Sequence, residues 1–208
     1  MKLAVSLPVL SLLFLATSPA QEVPRLAWNF GGGYTNPVGR TGTNLDMGWN
    51  IGGGLGYNFN NYVGVIGEAK YRMLGINSSV LNNLGFPGGD VSMASFTLNP
   101  IVHLIPKGPV DVYLIGGGGL YRRNQEFTAP GVGRLQGYNP FFGFYSVGVP
   151  VTQVLTSYSL NKPGVNIGAG AAFGIPRGGK VFAESRYHRM IIGSAHTDLV
   201  DVTVGFRR

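Results

Sequence analysis

The chain contains no cysteine. Disulfide staples, thiolate metal ligands and a lipid-modified N-terminal cysteine are therefore excluded. Charge is scarce as well. Asp, Glu, Lys and Arg make up 12% of the residues, about half the share of an average soluble domain. The cationic excess, a formal net charge of +7, is spread along the chain without a dense run. That pattern fits solvated or lumenal cations and speaks against nucleic acid as a partner. After the N-terminal segment no stretch supplies the roughly 20 uninterrupted apolar residues that a spanning helix needs. The glycine runs Gly31–Gly33, Gly52–Gly54 and Gly116–Gly119 lack the following Lys-Ser/Thr of a phosphate loop. His103, His188 and His196 have no metal-ligand spacing, and no cofactor is expected.

What the chain does have is glycine, 34 residues of it, and a hydrophobic content of 44%. Its N-terminus reads as an export signal. Met1-Lys2 is positive, Leu3 to Ala16 is apolar apart from Ser6, Pro8 and Ser11, and Ser18-Pro19-Ala20 carries small residues at the recognition positions. This tripartite pattern predicts a signal peptide over 1–20, cleaved between Ala20 and Gln21, ahead of one domain over 21–208. The apolar run is too short for a membrane anchor.

The remainder alternates with a period of two between Gly, Asn and Pro breaks. In Gly48 to Phe59, Trp49, Ile51, Leu55, Tyr57 and Phe59 share one face, and Asn50, Gly52, Gly54, Gly56 and Asn58 share the other. A helix would mix these sets; a strand separates them. The same split recurs around Trp28, Val65, Leu98, Leu114, Ile167, Val181 and Val202, giving eight candidate strands of bilayer-crossing length. The connections alternate between short turns, at Asn60-Asn61, Pro106–Pro109 and Pro176–Gly179, and other segments at 36–47, 76–90, 124–163 and 194–197. Short turns on one side and longer loops on the other define an all-β fold: an eight-stranded antiparallel up-and-down transmembrane β-barrel with both termini in the periplasm. Pro100 interrupts the fourth strand, where a bulge or local irregularity is expected.

A soluble barrel would also alternate, with its charges outside. Here the second face is mostly Gly, Asn, Ala and Thr, suited to a crowded lumen, and the bulky residues belong on the lipid side. Trp28, Tyr34, Trp49, Phe59, Tyr187 and Phe206 are the expected interfacial aromatics.

With segments such as Val112–Tyr121 (VYLIGGGGLY), Val165–Phe173 (VNIGAGAAF) and Val200–Phe206 (VDVTVGF), the chain resembles the small eight-stranded outer-membrane barrels of the OmpA/OmpX type. The resemblance covers everything after the signal segment. It implies a bacterial outer-membrane location, contact with outer-membrane lipid and lipopolysaccharide, and delivery by the barrel-assembly machinery, which reads a terminal aromatic residue. Here Phe206 is followed by Arg207 and Arg208, a departure from that ending.

One polar constellation stands out. The third strand carries Glu68, Lys70 and Arg72 on its inner face, and the seventh carries Glu184, Arg186 and His188. These strands oppose each other across an eight-stranded cylinder. Buried charges must pair, so Glu68 is expected to face Arg186, and Glu184 to face Lys70 or Arg72, closing the lumen. Segment 124–163, with Phe127, Tyr138, Phe141, Phe142, Phe144, Tyr145 and Tyr158, is the expected interaction loop for an extracellular ligand; its part from Phe144 to Tyr158 alternates and suits a projecting hairpin. The expected function is structural or surface-recognising, by a monomeric, non-enzymatic barrel. The alternatives are a narrow passive pore for small or apolar solutes and, with Ser194, His196 and Asp198 at the rim, a lipid A-modifying enzyme, although no spacing marks a triad.

Overall fold

The computed structural model describes residues 24–106, 109–175, 178–192 and 195–208. The expected signal peptide and its Ala20–Gln21 cleavage point lie outside them. The chain forms β1 (Leu26–Pro37), β2 (Leu45–Asn58), β3 (Val63–Ile76), a short helix α1 (Ser78–Leu84), β4 (Gly88–His103), β5 (Val110–Asn139), β6 (Gly143–Ile175), β7 (Gly179–Ile192) and β8 (Ala195–Arg207). Each strand pairs antiparallel with its sequence neighbours, and β8 closes on β1, from Asn29↔Arg207 to Pro37↔Leu199, so the sheet is a closed barrel. Closure leaves the wall without a free edge and satisfies its backbone groups internally, as a hydrocarbon environment requires.

The sequence alternation sorts side chains across this wall. Leu26, Trp28, Phe30, Leu55, Phe96, Leu98, Leu120, Ile167, Val204 and Phe206 face outward and are exposed, whereas Asn50, Glu68, Arg72, Asn99, Arg186 and Asp201 face inward and are buried. A water-soluble barrel would have the two sets exchanged.

The fourth strand keeps its register through Pro100. Pairing with β5 passes from Leu98↔Gly118 to Ile101↔Ile115 without a shift, so there is no bulge; Asn99 and Pro100 simply drop out of the ladder on that side, as a residue without an N–H dictates. That lapse is the local irregularity expected there, and the register shifts lie elsewhere, between Leu45 and Gly48 of β2 and between Phe127 and Thr128 of β5.

Segment 124–163 is strand through most of its length, which shortens the expected loop to a tip and lengthens the hairpin expected over Phe144 to Tyr158. It is the upper part of β5 and β6, which pair with each other from Val110↔Phe173 to Asn139↔Gly143. Only Asn139–Gly143 turns. Pairing of β4 with β5 ends at Thr128, and pairing of β6 with β7 begins at Gly164. Beyond those points the hairpin is a two-stranded ribbon, extending about 35 Å past Thr128 at the rise of a strand. The remaining connections at this end are shorter than expected or hold α1, which Asn77 caps by accepting from Ser79 N at 3.0 Å.

Candidate functional site

The lumen is built in layers. Nearest the termini, His103 Nδ1 lies 2.9 Å from Asp111, which also takes Lys180 Nζ at 2.8 Å, and the Arg207 guanidinium stacks 4.5 Å over the Tyr113 ring. Above them Ile66, Ile101, Tyr113, Ile115, Ala172 and Phe182 form an apolar layer. Two ionic layers follow. A second apolar layer of Leu74, Met93, Tyr121, Met190 and Leu199 covers those, and Leu45, Ile76 and Val91 lie beyond it, packed against Val80, Leu81 and Phe127.

In the lower ionic layer Arg186 bridges two carboxylates. It contacts Glu68 from the opposite wall and donates to Glu184 Oε1 from Nε at 2.9 Å and from Nη2 at 2.5 Å. Asn29 Nδ2 and Asn99 Nδ2 each donate to Glu68 at 2.7 Å, and Tyr113 Oη donates to Glu184 at 3.2 Å. In the upper layer Asp201 accepts a fork from Arg72, Nε at 3.0 Å and Nη2 at 2.8 Å, with Lys70 Nζ at 3.4 Å and Thr35 Oγ1 donating at 2.8 Å. His188 stacks into this layer, 3.2 Å from Arg72 and 3.3 Å from Asp201. Forked guanidinium–carboxylate pairs with their remaining donors satisfied are the form in which charges survive burial.

The structure thus brings Glu68 to Arg186 across the lumen. It does not bring Glu184 to Lys70 or Arg72. Glu184 stays with Arg186 on its own strand, because residues two apart share a face, and Lys70 and Arg72 turn to Asp201 on β8. Asp201, Asn29, Asn99 and Tyr113 were not singled out from the sequence, and neither were the apolar layers. Asp201 was visible as an inward residue, but only the closure of β8 on β1 places it beside β3. Glycine makes these fittings possible. A Cβ on Gly54 would stand 2.6 Å from Glu68 Cγ, and one on Gly170 would stand 2.5 Å from Tyr113 Oη.

Outside, Tyr34 pairs with Trp49, whose ring lies 5.8 Å from Tyr71, and Tyr187 is nearby on β7, its hydroxyl donating to Asp198 at 2.7 Å. Trp28, Phe59 and Phe206 lie toward the end that carries the termini, where the rings of Tyr57 and Phe59 are 5.7 Å apart. The aromatics therefore gather at two levels, the disposition of residues that favour the two bilayer interfaces.

Above the lumen, a cleft of about 370 Å³ opens between the β1–β2 turn, β5 and β8, lined by Arg40, Thr41, Asn44, Leu45, Arg123, His196 and Thr197. At the rim Asp198 accepts from Arg189 Nε at 2.8 Å and lies 3.2 Å from His196 Nε2. Ser194 lies outside the described residues. The ribbon beyond carries Val132, Leu135, Tyr138, Phe141, Phe142, Phe144, Val154 and Tyr158, all exposed. Its turn is ordered by Asn139 Oδ1, which accepts from Phe141 N at 2.8 Å.

A closed antiparallel barrel with an apolar belt, aromatic levels and an ionic interior is an integral protein of the bacterial outer membrane. The chain matches the family model described as outer membrane protein beta-barrel domain over residues 7–207, and it belongs to that family. Among solved structures it is similar to Ail, the attachment invasion locus protein of Yersinia pestis in complex with the heparin analogue sucrose octasulfate, at 22% identity and TM-score 0.51, covering 89% of this chain and 100% of that one. It is also similar to Neisserial surface protein A, at 13% identity and TM-score 0.57, covering 88% of this chain and 96% of that one. At these identities the likeness bears on the fold. No curated protein matches the chain.

Proposed function

We propose that this chain is a plugged outer-membrane barrel that holds the β5–β6 ribbon outside the cell as a recognition element for an apolar surface, and that it contributes to envelope integrity. The observation that carries this reading is the ribbon itself. Phe141, Phe142 and Phe144 are 85–88% exposed at its tip, and Arg134 is the one charged residue between Phe127 and Asn161. Exposed apolar groups concentrated on an ordered projection mark contact surfaces. Pro130 and Pro150 cannot donate to an added strand, so the tip and faces, rather than the edges, are the contact elements. The names of two structural neighbours, an attachment protein and a surface protein, agree with a surface role.

The layered lumen argues against the pore. Its lower part encloses a cavity of only about 10 Å³ beside Tyr113 and Arg207, about the space of one water. Of the rim set named for the catalytic alternative, His196 and Asp198 lie 3.2 Å apart and Asp198 also accepts from Arg189 and Tyr187, while Ser194 falls outside the described residues. The reading includes an export segment over 1–20, assembly by the barrel-assembly machinery, lipopolysaccharide around the belt and a monomeric state; N-terminal sequencing of the mature protein tests the first of these.

The test of the function replaces residues 130–152 by Asn-Gly, a turn that suits the paired positions Ala129 and Gln153. Cells displaying the full chain should adhere to hexadecane droplets, and cells displaying the shortened chain should not. Equal adhesion removes the reading. In planar bilayers both proteins should show no conductance steps; steady open-channel currents would favour the pore.

A further inference from the structure

The cleft at the barrel mouth is independent of the ribbon, and its charges are held differently from those of the two ionic layers. The interior cations Arg72 and Arg186 each sit in a carboxylate fork. Arg123 does not. It points inward from β5, opposite Met93 and just above the apolar layer of Met93, Tyr121 and Leu199. Its Nη2 donates to Gln125 Oε1 at 3.0 Å, while its Nε is buried and has no hydrogen-bond partner among the described residues. No ion pair to Arg123 occurs among them either. A largely buried guanidinium with an idle donor and no counter-charge is costly and calls for an explanation.

The cleft's own composition supplies one. Arg40 from the β1–β2 turn and His196 from β8 line it together with Arg123, and among the described residues no carboxylate lines it. Asp198, next to Thr197 in the chain, accepts from Arg189 and Tyr187 and lies 3.2 Å from His196. Beside the two guanidinium groups and the His196 ring stand Thr41, Asn44 and Thr197, which offer hydroxyl and amide groups, and Leu45, which offers an apolar face. Cationic groups, short polar side chains and one apolar patch are what an anionic sugar needs: charge for the acid group, hydrogen bonds for the hydroxyls, an aliphatic surface for the ring. A volume of about 370 Å³ exceeds what a bare oxyanion fills and lies at the small end of ligand sites, roughly 300–1,000 Å³.

We propose that this cleft binds a single phosphorylated saccharide unit, with Arg123 as the principal phosphate ligand and Arg40 as the second. The same chemistry is offered by a phosphate-bearing sugar of the surrounding lipopolysaccharide and by a free sugar phosphate outside the cell.

The experiment uses the full mature chain folded in amine-oxide detergent micelles, titrated with glucose 1-phosphate, glucose and inorganic phosphate and followed by backbone amide shifts. Glucose 1-phosphate should saturate shifts at Thr41, Arg123 and Thr197 and bind at least tenfold more tightly than glucose. Arg123→Gln should weaken it at least tenfold, and Arg40→Gln several-fold. Inorganic phosphate should bind more weakly than the sugar phosphate, and equal binding of the two overturns the saccharide assignment. Absence of saturable binding, or wild-type affinity in both variants, overturns the proposal altogether. Should Arg123→Gln lose its heat-modifiable gel shift and so its fold, Arg40→Gln on the exposed turn decides by the same criterion. Nanodiscs then separate the sources. With lipopolysaccharide in the disc, glucose 1-phosphate is excluded if the membrane supplies the ligand; it binds as in phosphatidylcholine discs if the ligand is free.

Discussion

Strands β5 and β6 run through two environments, and the contrast between them separates what holds this protein together from what it shows to its surroundings. Below Thr128 and Gly164 each strand has a partner on both sides, Tyr113 and Ile115 turn into the lumen, and Leu114 and Ile167 turn out to the membrane. Above, the same two strands pair only with each other, and both faces of the ribbon meet solvent. Alternation continues in both halves. In the lower half it separates two media; in the upper half nothing is enclosed, and apolar residues such as Val132 and Phe144 remain exposed. The barrel needs every inward residue matched to a neighbour, whereas the ribbon needs only its cross-strand partner.

The largest effect expected from breaking this division is at Arg186. Arg186→Met leaves Glu68 and Glu184 buried side by side with no cation between them. The loss should be about 3–5 kcal/mol, read from the urea midpoint of the barrel refolded into vesicles, while protease cleavage within the ribbon stays at the wild-type rate. A shift under about 1 kcal/mol would mean that water reaches the layer and screens it.

A smaller effect is expected at Gly170, where an alanine methyl would meet the Tyr113 ring. Gly170→Ala should cost about 1–3 kcal/mol as an overpacked contact, and Tyr113→Leu in the same chain should return part of that loss. Failure of the second change to rescue the first would show that the strain falls instead on the Ala183 carbonyl oxygen, 2.9 Å from the same position.

The smallest effect sharpens the comparison from the other side. Replacing ribbon residues 130–152 by Asn-Gly should leave barrel stability within about 0.5 kcal/mol, since surface changes away from buried features rarely do more. A larger loss would show that the ribbon supports the wall as well as extending from it.

Much of the wall is legible in the sequence, because alternation is a property of residues one and two apart. Trp49 and Asn50 declare opposite faces wherever the strand lies. The pair Glu184–Arg186 was readable on the same ground, two residues apart on one face, although charge balance alone allowed Glu184 a cation across the lumen. The ribbon was legible only in part: the alternation of Phe144 to Tyr158 marked a hairpin, but its full length, with Pro130 paired to Thr152 and Val132 to Pro150, depends on cross-strand pairing between β5 and β6.

Local chemistry, then, was enough to separate a lipid-facing surface from a crowded interior and to count the strands, since burial on one face needs only a period of two. It could not choose partners. Which carboxylate meets Arg72, why Arg123 meets none among the described residues, and that the lumen is sealed by apolar layers as well as ions all follow from closure of β8 on β1 and from the register around the ring. Those are relations between residues far apart in the chain, and they exist only once the cylinder has closed.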